Sequence, residues 1–129
     1  MITLSLLQYL SENGFGSIDK DLFWQKLPLG KNGISILDLG QQRSRKSLNT
    51  QKFEIISRGS SDTDGYNTLK DIVDFLNSSY SVCKLPSYPL IPESNSYENI
   101  TIMPLSTPTN IGVNQNGRVI WSATGAINY

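Results

Sequence analysis

Apolar residues recur with two different periods along this chain, and the changes of period lay out its elements. Ile2, Leu6, Leu7 and Leu10 share a stripe at helical spacing while Gln8, Ser11 and Glu12 face away, which predicts an amphipathic helix. Asn13-Gly14 followed by Gly16 supplies a helix stop. Residues 21–39, DLFWQKLPLGKNGISILDL, hold two short extended stretches separated by Gly30 to Gly33, and the second, Ile34 to Leu39, is rich in β-formers. GQQRSRKSLNT, residues 40–50, has neither period and predicts a long polar loop. QKFEIISR then alternates as a strand, with Phe53 and Ile55 on one face and Glu54 and Arg58 on the other.

The principal helix follows. Leu69, Ile72, Val73, Leu76 and Tyr80 repeat at helical spacing, Asp62 or Thr63 is placed to cap the start, and Asp64 adds favourable charge to the first turn. Pro86, Pro89 and Pro92 predict an extended connector over residues 84–96. In YENITIMPL, Ile100 and Ile102 alternate against Thr101 and Met103, and Pro104 stops the strand. The closing stretch, residues 110–129, reads as a hairpin. Asn116-Gly117 predicts a type I′ turn with both residues at positive φ. Beyond it Val119, Trp121, Ala123, Ile127 and Tyr129 share one strand face, opposite Ser122, Thr124 and Asn128. The predicted fold is α+β: a mainly antiparallel sheet with an N-terminal helix and a longer central helix packed on one face.

Length and composition narrow the chemistry. The 129 residues fit one domain, 1–129, that buries roughly two thirds of its unfolded surface. Eleven basic and eleven acidic side chains cancel, so an electrostatic partner has to be met by a local patch. Histidine is absent, which removes the usual general base, the usual activator of a Ser or Cys nucleophile and the commonest metal ligand. Cys83 is the only cysteine and forms no internal disulfide, as expected of a thiol in a reducing compartment. No apolar run approaches the roughly 20 residues of a membrane span. The opening MITLSLLQYL lacks the basic segment of a secretory signal. A soluble protein made in the cytoplasm is expected, with no cofactor, no metal and no catalytic residues.

The remaining candidates each have a plainer explanation. Asp71 and Asp74 look like a carboxylate pair but belong to the solvated face opposite the apolar stripe. Arg43, Arg45 and Lys46 form the basic cluster RSRK. It lacks interleaved aromatics for stacking on bases, which favours a solvated or subunit-contacting loop over a nucleic-acid site. Gly112, Gly117 and Gly125 do not open a helix after a strand, so they form no dinucleotide fingerprint. Trp24 and Trp121 fit core strand positions better than a ligand pocket.

Four features in order carry a resemblance. The first helix runs into a Gly-rich turn, and FEIISRG (Phe53 to Gly59) leads through an acidic stretch into YNTLKDIVDFLN. A Pro-rich connector follows, and TPTNIGVNQNGRVIWSATGAINY places a proline and an Ile-Gly pair before an Asn-Gly-Arg turn and a terminal strand. Across nearly the whole chain this resembles the bacteriophage minor capsid or tail terminator proteins, which cap the tail tube at its joint with the head. Asn114 departs from the pattern, where aspartate is common, as does the long QQRSRKSLNT loop. The resemblance implies a non-enzymatic virion protein, assembled in the host cytoplasm, that forms a six-fold ring in the tail or neck. Implied partners are further copies of the chain, the tail tube protein and the head–tail connector or neck proteins, with passing contact to DNA in the channel and none to membrane. Candidate assembly contacts are Arg43, Arg45, Lys46, Arg58 and Arg118. Alternatives are another neck ring, such as a head-closure or tail-completion protein, and a small regulatory or ligand-binding α+β domain.

Overall fold

The fold is known from a computed structural model that describes residues 2–28, 30–43, 49–78, 83–86, 97–114 and 116–129. Helix α1 (Ile2–Glu12) ends as its glycine predicts. Gly14 sits at φ 85°, its N–H donates to the Ser11 carbonyl, and the Phe15 N–H reaches back to Leu10 at 3.1 Å. That is a Schellman motif, and Phe15, the residue after the glycine, packs on Phe75 with ring centroids 5.1 Å apart. The helix is less amphipathic than its spacing predicts. Thr3, Leu4 and Ser5 are buried along with the expected stripe, so only its second half turns a polar face outward.

Helix α2 (Asp62–Ser78) buries Leu69, Ile72, Val73 and Leu76, the predicted stripe. Tyr80 lies outside the described residues. The cap is Ser61 rather than Asp62 or Thr63, since its Oγ accepts the Asp64 N–H at 3.1 Å. Asp62 is thereby free for other work. Asn77, at the end of the helix, ties it to the stretch after β5, its Oδ1 accepting the Leu105 N–H at 2.8 Å.

Seven strands form one sheet: β1 (Leu22–Trp24), β2 (Gly33–Arg43), β3 (Asn49–Arg58), β4 (Cys83–Leu85), β5 (Tyr97–Ile102), β6 (Thr109–Val113) and β7 (Val119–Asn128). The order is β1-β2-β3-β7-β5-β4, with β6 also paired to β7. All pairings are antiparallel except β1 with β2. The chain is therefore α+β, with a mostly antiparallel sheet. Phe53, Ile55, Ala123 and Ile127 from the middle strands join the buried residues of both helices in one core. Gly125 stands directly opposite Phe53, and a Cβ there would lie 2.9 Å from the phenyl ring. The glycine makes room for the largest fully buried side chain.

Two further sequence expectations fail for physical reasons. The polar run 40–50 is not simply a loop: β2 continues to Arg43 and β3 begins at Asn49, with Gln41 opposite Gln51 and Gln42 opposite Thr50. Within that run, residues 44–48 lie outside the described residues. A bulge at Leu39, where pairing jumps from Asp38 to Gly40, carries the strands beyond the core, so no apolar period marks them. The closing turn is not type I′ either. Only Gly117 has positive φ (77°), the Gly117 N–H donates to the Asn114 carbonyl, and the Asn114 N–H to that of Arg118. This is a three-residue loop closed by a bulge glycine. Asn114 stabilises it by accepting the N–H groups of Asn116 and Arg118 on Oδ1 at 3.0 and 2.9 Å.

Candidate functional site

Asp71 and Asp74 are both exposed, and Asp74 pairs with Lys70 at 3.3 Å on the outer face of α2. A polar cleft of about 540 Å³ between the α1 turn and the start of α2 is lined by Asp21, Asp64 and Asp71. Asp21 holds the Ser17 N–H and Asp64 the Ser60 hydroxyl, so both carboxylates are engaged in local turns. No group of three His, Cys, Asp or Glu among the described residues is placed to hold a metal ion. No described helix is long and apolar enough to cross a membrane.

The predicted contact residues separate into three settings. Arg45 and Lys46 lie outside the described residues, and Arg43 ends β2 in register with Asn49. Arg58 is only 6% exposed. Its Nε donates to the Lys31 carbonyl at 3.0 Å, and its Nη2 to those of Pro28 and Lys31. Alternation along β3 places Arg58 with Glu54, but Pro28 and Lys31 lie over the strand end and cover it. The chain turns back after Trp24 because Gln25 adopts φ 68°, and its side chain pairs with Asp38 on β2. Arg118 follows the closing turn, with Nη1 bonded to the Gly59 carbonyl at 3.2 Å. Arg58 and Arg118 thus meet in one place, while Arg43 lies at the far end of the β2–β3 pair.

The surface with the least internal use is β6. It pairs with β7 on one side and with no described strand on the other. Ile111 and Val113 are 53% and 59% exposed there; with Leu39 at 53% they are the three most exposed large apolar side chains of the described residues. An open strand edge carrying apolar side chains is a template for further pairing. Composition and period gave no sign of it, because IGV is too short a run to separate an edge from a core strand.

β6 lies against the start of β7, with Val113 opposite Val119 and Thr109 opposite Ser122. The polar β2–β3 arm lies at the other end, where Thr50 is opposite Asn128. Strand β7 therefore holds two different surfaces apart by most of its length, roughly 20–30 Å at about 3.3 Å per residue. No protein-family model matches the sequence, and no curated protein matches it.

Proposed function

We propose that the chain is a non-enzymatic structural subunit of a phage virion, a tail terminator that assembles with copies of itself into a ring at the head–tail junction. The open edge of β6, with Ile111 and Val113 in solvent, is the observation that carries this proposal. A ring needs two different patches on each subunit, placed so that the contact repeats head to tail and closes. β6 and the β2–β3 arm are different in chemistry and sit at opposite ends of β7. The ordered resemblance to minor capsid and tail terminator proteins supplies the context: copies of the chain, the tail tube and the neck proteins as partners. A scaffold of this kind works through backbone edges and turns and needs no proton-transfer group.

Solution mass and electron images of the purified chain, alone and with tail tubes, test it. Rings, or caps on tube ends, are expected. Ile111→Lys with Val113→Lys is expected to abolish them while leaving the melting temperature close to that of the parent, since both side chains are already exposed. A chain that stays monomeric at high concentration and never binds tube ends would overturn the proposal.

A further inference from the structure

A second cavity, of about 380 Å³, opens where the closing turn meets the end of β3 and residues 30–32; it is lined by Gly30, Asn32, Arg58, Asn114, Asn116 and Arg118. Two cations and three carboxamides line it, and no carboxylate does. Neither arginine is ion-paired with a described residue. Backbone carbonyls hold Nε and Nη2 of Arg58, and Nη1 has no acceptor among the described residues. Arg118 spends Nη1 on Gly59, which leaves its Nε and Nη2 without one. The carboxylate nearest in sequence to this turn contact, Asp62, does not line the cavity and is engaged by the Val119 N–H at 2.8 Å. Carbonyl oxygens solvate a guanidinium without neutralising it. Arg58 also lines the first cleft, with Asp21, Asp64 and Asp71, but the second cavity holds two guanidinium-bearing residues and no carboxylate, so an anion entering it is attracted to both.

We infer that this cavity is a binding site for a carboxylate, held by Nε and Nη2 of Arg118 together with the guanidinium of Arg58, which lines the same cavity. Guanidinium forks match planar carboxylates with paired hydrogen bonds, and the Asn32 and Asn116 side chains add neutral donors. The carboxylate comes either as a free small molecule or as an acidic side chain or chain end of a neighbouring copy. The site does not depend on association through β6.

The test uses the full-length chain, labelled with nitrogen-15 and titrated with sodium acetate, sodium phosphate and sodium chloride at matched ionic strength. Acetate is expected to give saturable shifts of the Gly30, Asn32, Asn116 and Arg118 amides, and chloride none. Arg118→Gln should weaken acetate binding roughly tenfold or more, the loss of a charge-assisted pair. That change also removes the bond to Gly59, so Asn116→Asp provides an independent check: it sets a carboxylate at the mouth and keeps the residue 116 N–H bond to Asn114. Non-saturating shifts equal to those from chloride, a response to phosphate without acetate, or unaltered binding in both variants would overturn the site. Acetate that dissolves self-association assigns the native carboxylate to a neighbouring copy. Association that persists through saturation assigns a free ligand, and either source accords with the site.

Discussion

The two ends of β7 are fastened in different ways. At its start, single side-chain bonds reach across the chain: the Val119 N–H donates to Asp62 Oδ1, the Trp121 indole to the Asp62 carbonyl at 3.0 Å, and Arg118 to Gly59. At its finish the fastening is repetitive. Residues 121–128 run in register with β3, and the ladder continues past the strand through paired N–H and carbonyl groups of Asn49 and Tyr129 at 2.8 and 2.9 Å. A ladder shares its load among many bonds, so one loss is minor. The start has the short β6 ladder on one side, but on the other side β3 pairing begins only at Trp121. There residues 118–121 are held by a few long-range contacts centred on Asp62.

Removing the strand erases the comparison and gives the largest effect. β7 stands between β3 on one side and β5 and β6 on the other, and it contributes Ala123 and Ile127 to the core. Deleting residues 119–129 exposes both flanking edges and is expected to cost more than the roughly 5–15 kcal/mol by which ordinary domains are stable. Circular dichroism should then show no cooperative melting. A truncated chain melting near the parent temperature would mean that β7 is an accessory strand.

The next largest effect is expected where α2 meets the start of β7. A Cβ on Gly59 would lie 2.4 Å from the Gly65 backbone nitrogen, and neither backbone can yield without moving the helix. The Ser57 hydroxyl bonds the Gly65 carbonyl at 2.9 Å, which fixes the same contact from β3. Gly59→Ala should therefore destabilise by about 1–3 kcal/mol through overpacking. It should also loosen the start of β7 more than its finish, because Asp62 shifts with the helix. Urea melts give the first quantity and amide exchange along β7 the second; uniform loosening would remove the distinction between the two ends.

The legibility of the chain follows the same division. The α2 stripe and the alternation of Phe53 with Ile55, or Ile100 with Ile102, are visible in the sequence because core burial imposes a period. Where bonds rather than burial hold the chain, the period is lost. Gln41, Gln42 and Thr50 are in strands that have left the core, so the run reads as a loop. Arg58 reads as outward-facing with Glu54, because nothing in β3 announces that a segment some 30 positions earlier will cover it. Ser61 and Asp62 are both acceptable caps, and only the docking of Val119 decides between them. The open edge of β6 and the pairing of Arg58 with Arg118 around one cavity arise from topology, which no local pattern encodes.

Asp62→Ala isolates the start of β7. It deletes the acceptor of the Val119 N–H and keeps the backbone carbonyl that receives the Trp121 indole. Because the site is exposed, water replaces part of the loss, and a cost of about 0.5–1.5 kcal/mol is expected. The Val119 amide should exchange faster while those of residues 126–128 are unchanged. Faster exchange at both ends would show that the strand opens as one unit.

The smallest effect is expected at the other end, from Thr50→Val. The substitution keeps the shape and the β-branching of the side chain and removes one bond, from Thr50 Oγ1 to Asn128 Oδ1 at 2.7 Å. Thr50 and Asn128 also face each other in the backbone ladder, with Gln51 opposite Ile127 and the Asn49–Tyr129 pair on either side. None of those bonds involves the hydroxyl. Both side chains are half-buried, so water reaches the freed Asn128 oxygen and the desolvation penalty of an unpaired buried acceptor does not arise. The higher strand propensity of valine offsets part of the lost bond. A change within about 0.5 kcal/mol is expected, against the larger loss from Asp62→Ala, although each variant removes a single side-chain bond. Paired urea melts of the two proteins decide the matter. A Thr50→Val cost equal to or above that of Asp62→Ala would show that the ladder concentrates its stability in one side-chain bridge, and the contrast between the two ends of β7 would be false.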